Sequence, residues 1–382
     1  MSWPLYAAVG TVLAGSIALS PRVLDVDGFF RGMAPRGVAP GMLTLTLSQV
    51  TTWIFARSLM NAAILGYFYG IAGALAYAGY YFSFLTGGLI VDRIRFRHGA
   101  PSIQAFLAER FGAGGAWCYS AVIGIRLLSE VFANLLVVGI IFGPAGSPAY
   151  VVSIMVLALI TLGYSMQGGL RASLRTDVFQ MICLLAVTVL LLAGLALRGG
   201  FDLPGILASR AAPDGPGWVL LAVAFLQVPS YPMHDPVMMD RGFLADRRVT
   251  RASFLHAAWL SIACILAFGL IGVQAGLLRL DGESLIPTLG RLYGAPTLLL
   301  FNMALVISAV STLDSTLSSA AKLCAVDLRL CAANVRNGRI AMALFMLGGL
   351  AFLFGASNDL FNAVAVSGTA ALFLGPVILF SV

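Results

Sequence analysis

Residues Leu260–Leu278 read LSIACILAFGLIGVQAGLL, a run in which no side chain carries a charge and no face is reserved for polar groups. A helix that meets water on one side keeps a polar stripe there, and this run has none. Met181–Leu197 and Leu298–Val310 have the same character. Over the whole chain, 60% of residues are hydrophobic and 10% are charged, against about 25% charged in an ordinary soluble domain. Hydrocarbon is the solvent these segments are built for. A spanning β-barrel would show segments of about ten residues in alternating polar and apolar order, and no such pattern occurs. The sequence therefore predicts an all-α polytopic membrane protein.

A bilayer core about 30 Å thick takes about 20 helical residues. That length places spans at 3–20, 41–63, 67–90, 117–142, 149–167, 176–197, 217–232, 253–278, 296–321, 339–355 and 359–381, eleven in all. The alternate loops between them test the count. Arg22, Arg31, Arg36, Arg93, Arg95, Arg97, Arg110, Arg171, Arg175, Arg241, Arg247, Arg248, Arg251, Lys322, Arg329, Arg336 and Arg339 fall on one side, and only Arg198, Arg210, Arg279 and Arg291 on the other. Lys and Arg concentrate in cytoplasmic loops, which sets the N-terminus outside and the C-terminus inside, in a plasma membrane of bacterial inner-membrane type. The same rule accounts for the net charge of +7 without a nucleic acid. Trp3–Ser20 lacks a basic region before it and a small-residue cleavage site, so it reads as a retained helix. Cys118, Cys183, Cys264, Cys324 and Cys331 lack metal-ligand spacing and read as packing residues.

Backbone polar groups in hydrocarbon must be satisfied internally, so a broken span is tolerated only where the backbone is buried or lines a cavity. Two spans carry break signals. The second contains Thr44, Thr46, Ser48, Gln49, Thr51 and Thr52; the seventh runs through Gln227-Val228-Pro229-Ser230-Tyr231-Pro232-Met233-His234-Asp235-Pro236. Prolines at 229, 232 and 236 remove donors and oppose a continuous helix. The two are five positions apart in the order of spans, as expected of the first helices of two five-helix inverted repeats. A polar helix interface and a proline-rich helix end would leave the same trace. The ninth span ends in Ser308-Ala309-Val310-Ser311-Thr312-Leu313-Asp314-Ser315-Thr316-Leu317-Ser318-Ser319. Adjacent hydroxyls there can join backbone carbonyls around a hard monovalent cation, or simply bond their own helix where small residues pack.

At this point the residues resemble a known family. Gly168-Gly169-Leu170-Arg171-Ala172-Ser173-Leu174-Arg175-Thr176-Asp177-Val178-Phe179-Gln180 looks like the glycine-pair, basic, Thr-Asp and Gln signature of the sodium:solute symporter family. Ser311-Thr312-Leu313-Asp314-Ser315 resembles a second signature, and Asp240-Arg241-Gly242-Phe243-Leu244-Ala245 extends the likeness across about residues 28–370. The resemblance implies a LeuT-type core of ten helices preceded by one extra helix (1–40), with repeats over 41–200 and 215–382 in one transporter domain.

It also implies a sodium site made by the backbone carbonyls of Leu47, Val50 and Ser308 and the hydroxyls of Ser311 and Thr312, and it sets Asp177 on the ion's cytoplasmic path. Asp177 reads equally well as an N-cap of the sixth span. Gln49 stands where proline-transporter-like members carry an acidic residue, so proline is not implied as substrate. Most members continue into further helices after the tenth core helix, whereas this sequence ends at Val382.

Charges inside spans need partners or a water-filled cavity. Arg126 and Glu130 lie one helical turn apart, and Glu130 could also meet Arg57, whose alternative role is to face an anionic solute. His234 and Asp235 read as interfacial. Gln49, Thr52, Trp53, Arg57, Gln227, Ser230 and Tyr231 are the expected solute-site residues. The expected activity is sodium-coupled symport of a small organic solute, with Na+ as coupling ion and no organic cofactor. Proton coupling, or a transporter-like sensor, is the alternative. No nucleophile, base or metal cluster suggests an enzyme.

Overall fold

The computed structural model describes residues 3–197, 202–209, 215–355 and 375–377. Its elements are α1 (Trp3–Leu19), α2 (Val26–Arg31), α3 (Met42–Trp53), α4 (Ala56–Gly79), α5 (Ser83–Val91), α6 (Ile103–Phe142) and α7 (Pro148–Leu197). They continue with α8 (Leu203–Ala208), α9 (Pro216–Gln227), α10 (Tyr231–His234), α11 (Pro236–Arg241), α12 (Arg247–Leu277), α13 (Leu285–Lys322) and α14 (Val335–Gly355). Among the described residues, six helical stretches are long and apolar enough to cross a membrane, and Trp3–Leu19 and Pro216–Gln227 are shorter apolar helices.

Glycine divides the longest stretches. Gly169, within α7, adopts φ 55°, and a Cβ there would run into the Phe29 carbonyl oxygen, so only glycine lets the chain turn against the 20–30 segment. The turn separates a span over 148–168 from one over 170–197, and Gly70 likewise separates the α3–α4 span from the next. The eleventh expected span, 359–381, lies outside the described residues except for 375–377.

α4 and α12 pack backbone against backbone. Added Cβ atoms at Gly66, Gly269, Gly272 and Gly276 would all meet the facing backbone or Ala74. Small residues at such a seam let backbones touch where no hydrophobic drive between helices exists.

The two expected breaks are present, one of them displaced. α3 is continuous through the polar Thr46–Thr52 stretch, and the chain leaves helical geometry at Ile54 (φ −82°, ψ 78°) and Phe55 (φ −63°, ψ 156°). The freed groups are met by side chains: Ser308 Oγ donates to the Ile54 carbonyl, Asn134 Oδ1 accepts from Ala56 N–H at 3.3 Å, and Tyr81 donates its hydroxyl to the Trp53 carbonyl at 3.2 Å. In the seventh span α9 ends at Gln227, and the carbonyls of Val228 and Met233 accept from Thr86 Oγ1 (2.7 Å) and Tyr119 Oη (2.8 Å).

Candidate ion and solute site

The two breaks face a pair of buried polar clusters. The first centres on Asp177, which is fully buried in the middle of α7. It is therefore not the N-cap that its place in the sequence allowed. Its Oδ2 accepts from Ser48 Oγ at 2.6 Å, and its Oδ1 from Ser311 Oγ at 2.8 Å; Ser173 and Ser315 hydroxyls follow at 3.3 Å. α3, α7 and α13 thus meet on one carboxylate.

Arg241 completes the cluster. Sequence position put it in a cytoplasmic loop, but its side chain is wholly buried and its Nη2 lies 3.5 Å from Asp177 Oδ2. The guanidinium donates to Ser315 Oγ (2.8 Å), Ser173 Oγ (3.2 Å), Ser48 Oγ (3.2 Å) and the Val237 carbonyl (3.2 Å). Asp314, equally buried, accepts from Thr176 Oγ1 at 2.8 Å and Tyr164 Oη at 2.9 Å. Among the described residues, the cluster holds two carboxylates, Asp177 and Asp314, and one cation. A buried charge without a partner is expensive, so the arrangement suits one further monovalent cation or a proton.

The resemblance-implied ligands are brought to this place with altered roles. Ser308, Ser311 and Thr312 lie side by side on α13 and fully or almost fully buried, with Thr312 Oγ1 donating to the Ser308 carbonyl at 2.9 Å. The Leu47 and Val50 carbonyls sit inside a continuous α3 rather than in an unwound stretch, and the Val50 carbonyl accepts from Ile54 N–H at 2.9 Å. A second interaction of each carbonyl with an ion is still open, because a carbonyl oxygen has two lone pairs. Ser315 was missed, although its place one turn after Ser311 puts it on the same helix face.

The second cluster lies beyond the α3–α4 break. Arg57 pairs with Glu130, which also pairs with Arg126, and Arg126 Nη2 lies 3.5 Å from Asp235 Oδ2. Trp53 donates its indole N–H to the same Asp235 oxygen at 2.8 Å. His234 and Asp235 are buried, contrary to the interfacial reading, because α10 and α11 run into the bundle instead of along its edge. Two guanidinium groups face two carboxylates here, and Arg57 Nη1 has no hydrogen-bond partner among the described residues.

Of the expected solute-site residues, Trp53 and Tyr231 come together, their ring centroids 5.5 Å apart, within an aromatic group that includes Tyr81 and Phe84. Thr52 uses its hydroxyl on the Ser48 carbonyl, and Ser230 uses its own on the Gln227 carbonyl. Both side-chain amide atoms of Gln49 are buried without a hydrogen-bond partner among the described residues. On the Arg-rich side, a cavity of about 460 Å³ opens among Arg31, Gln104, Trp117, Ser120, Lys322 and Arg329. Lys322 Nζ donates at its edge to Asp240 (2.7 Å) and Asp327 (3.0 Å).

No family model matches the chain. A urea active transporter of Saccharomyces cerevisiae is 24% identical over 211 residues, and the match covers 50% of this chain and 27% of that protein, so the chain spans little more than a quarter of its relative. The fold is similar over 99% of this chain and 85% of the other to a Na+-coupled sialic acid symporter in a substrate-bound, outward-open state, with a TM-score of 0.77 and 18% identity. It is also similar to a nucleobase-cation-symport-1 family transporter in a closed conformation with bromovinylhydantoin bound (TM-score 0.62, 17% identity, 94% of this chain and 78% of that one). The chain therefore has the all-α, LeuT-type fold of a multi-pass membrane protein, and the proteins it is similar to are transporters.

Proposed function

We propose that this chain is a sodium-coupled secondary active symporter of a small organic solute, of the sodium:solute symporter type. The observation that carries the reading is the Asp177 cluster, where two buried carboxylates face one guanidinium amid the hydroxyls of α3, α7 and α13. Sodium held by the Ser308 carbonyl and the Ser311 and Thr312 hydroxyls, with Leu47 and Val50 carbonyls opposite, would balance the second carboxylate while competing with Arg241 for Asp177, which lies on its way out. The likeness to a Na+-coupled symporter supports sodium over a proton.

The solute binds between the two broken helices, against Gln49, Trp53, Tyr231 and the edge formed by Thr52, Gln227 and Ser230. Arg57 serves the solute site by holding Glu130. The repeats over 41–200 and 215–382 rock against each other to give alternating access; the paired breaks at Ile54–Phe55 and at 228–230 support that division. The Arg-rich cavity is the cytoplasmic vestibule, with the N-terminus outside.

The test is a proteoliposome uptake screen of urea, hydantoins, sialic acid, amino acids, sugars and carboxylates, under an inward sodium or potassium gradient. Uptake of at least one class only with sodium is expected. Uptake that a proton gradient drives equally well without sodium would overturn sodium coupling.

A further inference from the structure

The two buried clusters are joined by a single short element. α11 has Asp235 at its N-terminal end and Arg241 at its C-terminal end. Asp235 caps the helix by accepting from Met238 N–H at 2.9 Å, and with its other oxygen accepts from Trp53 and pairs with Arg126. Arg241 reaches Asp177, Ser48, Ser173 and Ser315 of the ion cluster. At about 1.5 Å of rise per residue the helix spans about 9 Å. Extended geometry at Asp235 (φ −109°, ψ 95°) separates it from α10.

We propose that α11 is the coupling element between ion and solute, with Arg241 acting as a tethered cation that a bound sodium ion displaces from Asp177. This rests on the reading of the Asp177 cluster as the sodium site. Ser311 bonds Asp177 Oδ1 while Arg241 lies against Oδ2, so an ion beside Ser311 shares one carboxylate with the guanidinium, and the two like charges repel. Arg241 Nη1 also donates to the Val237 carbonyl of its own helix at 3.2 Å, so a displaced guanidinium pulls on α11. Its departure moves α11, and with it the Asp235 carboxylate that holds the Trp53 indole in the solute region. Linkage makes the effect reciprocal, so a solute that repositions Trp53 changes sodium affinity by the same factor.

The test uses the full chain with Trp3, Trp117, Trp218 and Trp259 replaced by Phe, leaving Trp53 as the sole indole. Equilibrium 22Na+ binding and Trp53 emission are followed as NaCl replaces choline chloride. In this parent the emission shift should have the same midpoint as 22Na+ binding. Arg241→Gln should bind 22Na+ about tenfold more tightly, since one opposing charge is gone, and show no emission shift. Arg241→Lys, which keeps the charge, should keep the shift. An emission shift that persists in sodium-binding Arg241→Gln overturns the proposal, as does joint loss of binding and response in that variant, which is what a merely structural Arg241 would give. Should Arg241→Gln not fold, a sodium-binding Arg241→Lys without the shift overturns it equally. Absence of 22Na+ binding in the parent overturns the sodium site itself, and the coupling proposal with it.

Discussion

Ser311 Oγ donates to Asp177 Oδ1 at 2.8 Å, tying the hydroxyl pair of α13 to a carboxylate in the middle of α7. In the proposed sodium site Ser311 therefore has two parts to play, as an ion ligand and as the link to Asp177. Among the described residues, Thr312 Oγ1 bonds only the Ser308 carbonyl, one turn back on its own helix. Ser311→Ala should raise the sodium concentration for half-maximal uptake by about tenfold to a hundredfold, as loss of a contact to a charge costs about 1.5–3 kcal/mol. Thr312→Ala should shift it in the same direction by less. Thr316, whose hydroxyl has no partner among the described residues, is the control. Sodium titrations of uptake in proteoliposomes check the ranking, and equal effects of Ser311→Ala and Thr316→Ala would contradict it.

Removing one member of a buried ion pair is costly because the other is left uncompensated. Asp177→Asn strands Arg241, so thermal unfolding in detergent should register a loss of about 3 kcal/mol. Asp177→Asn combined with Arg241→Gln should recover much of that loss, since no orphan charge remains. Additive losses in the double variant would mean that the two residues do not interact.

The α4–α12 seam gives a sign contrast. Gly272→Ala would push a Cβ into the Ala63 carbonyl, so the helices must separate, at about 1–3 kcal/mol. No described residue would meet a Cβ at Gly124, and Gly124→Ala should stabilise by about 0.5–1 kcal/mol through helix propensity. Opposite shifts in melting temperature are expected.

Between α12 and α13, Glu283 accepts from Arg291 Nη2 at 2.7 Å and Nε at 3.0 Å. The Arg291 hydrogen bonds lower the Glu283 carboxyl to about 2, from an unfolded value of about 4.3. A depressed carboxylate contributes stability above its unfolded value and loses it as pH falls toward its folded one. Protection of residues 278–291 from protease should therefore be flat from pH 8 to 5. A fall within that window would show that the pair does not hold the loop.

The spans were legible because hydrocarbon demands long apolar runs, and the turn at Gly169 falls in the gap left between the expected spans 149–167 and 176–197. The first break was misplaced because the hydroxyls read as helix-breaking bond back to their own helix without opening it: Thr52 donates to the Ser48 carbonyl. What opens the chain at Ile54–Phe55 is a set of partners far off in sequence, Ser308 and Asn134. Arg241 and Asp235 were misread for the same reason. Loop charge counting registers position along the chain, whereas burial here depends on Asp177, Trp53 and Arg126 arriving from other helices. Asp314 stood in the quoted serine-rich stretch, yet nothing local showed that it would lie beside Asp177.

Equilibrium binding of 22Na+ to the purified native protein, with and without competing K+ and across pH 6 to 8, addresses the sodium site most directly. Saturable binding that K+ does not displace, and that Ser311→Ala weakens about tenfold or more, is the predicted result. No saturable binding at any pH, or binding that Ser311→Ala leaves unchanged, would contradict the account.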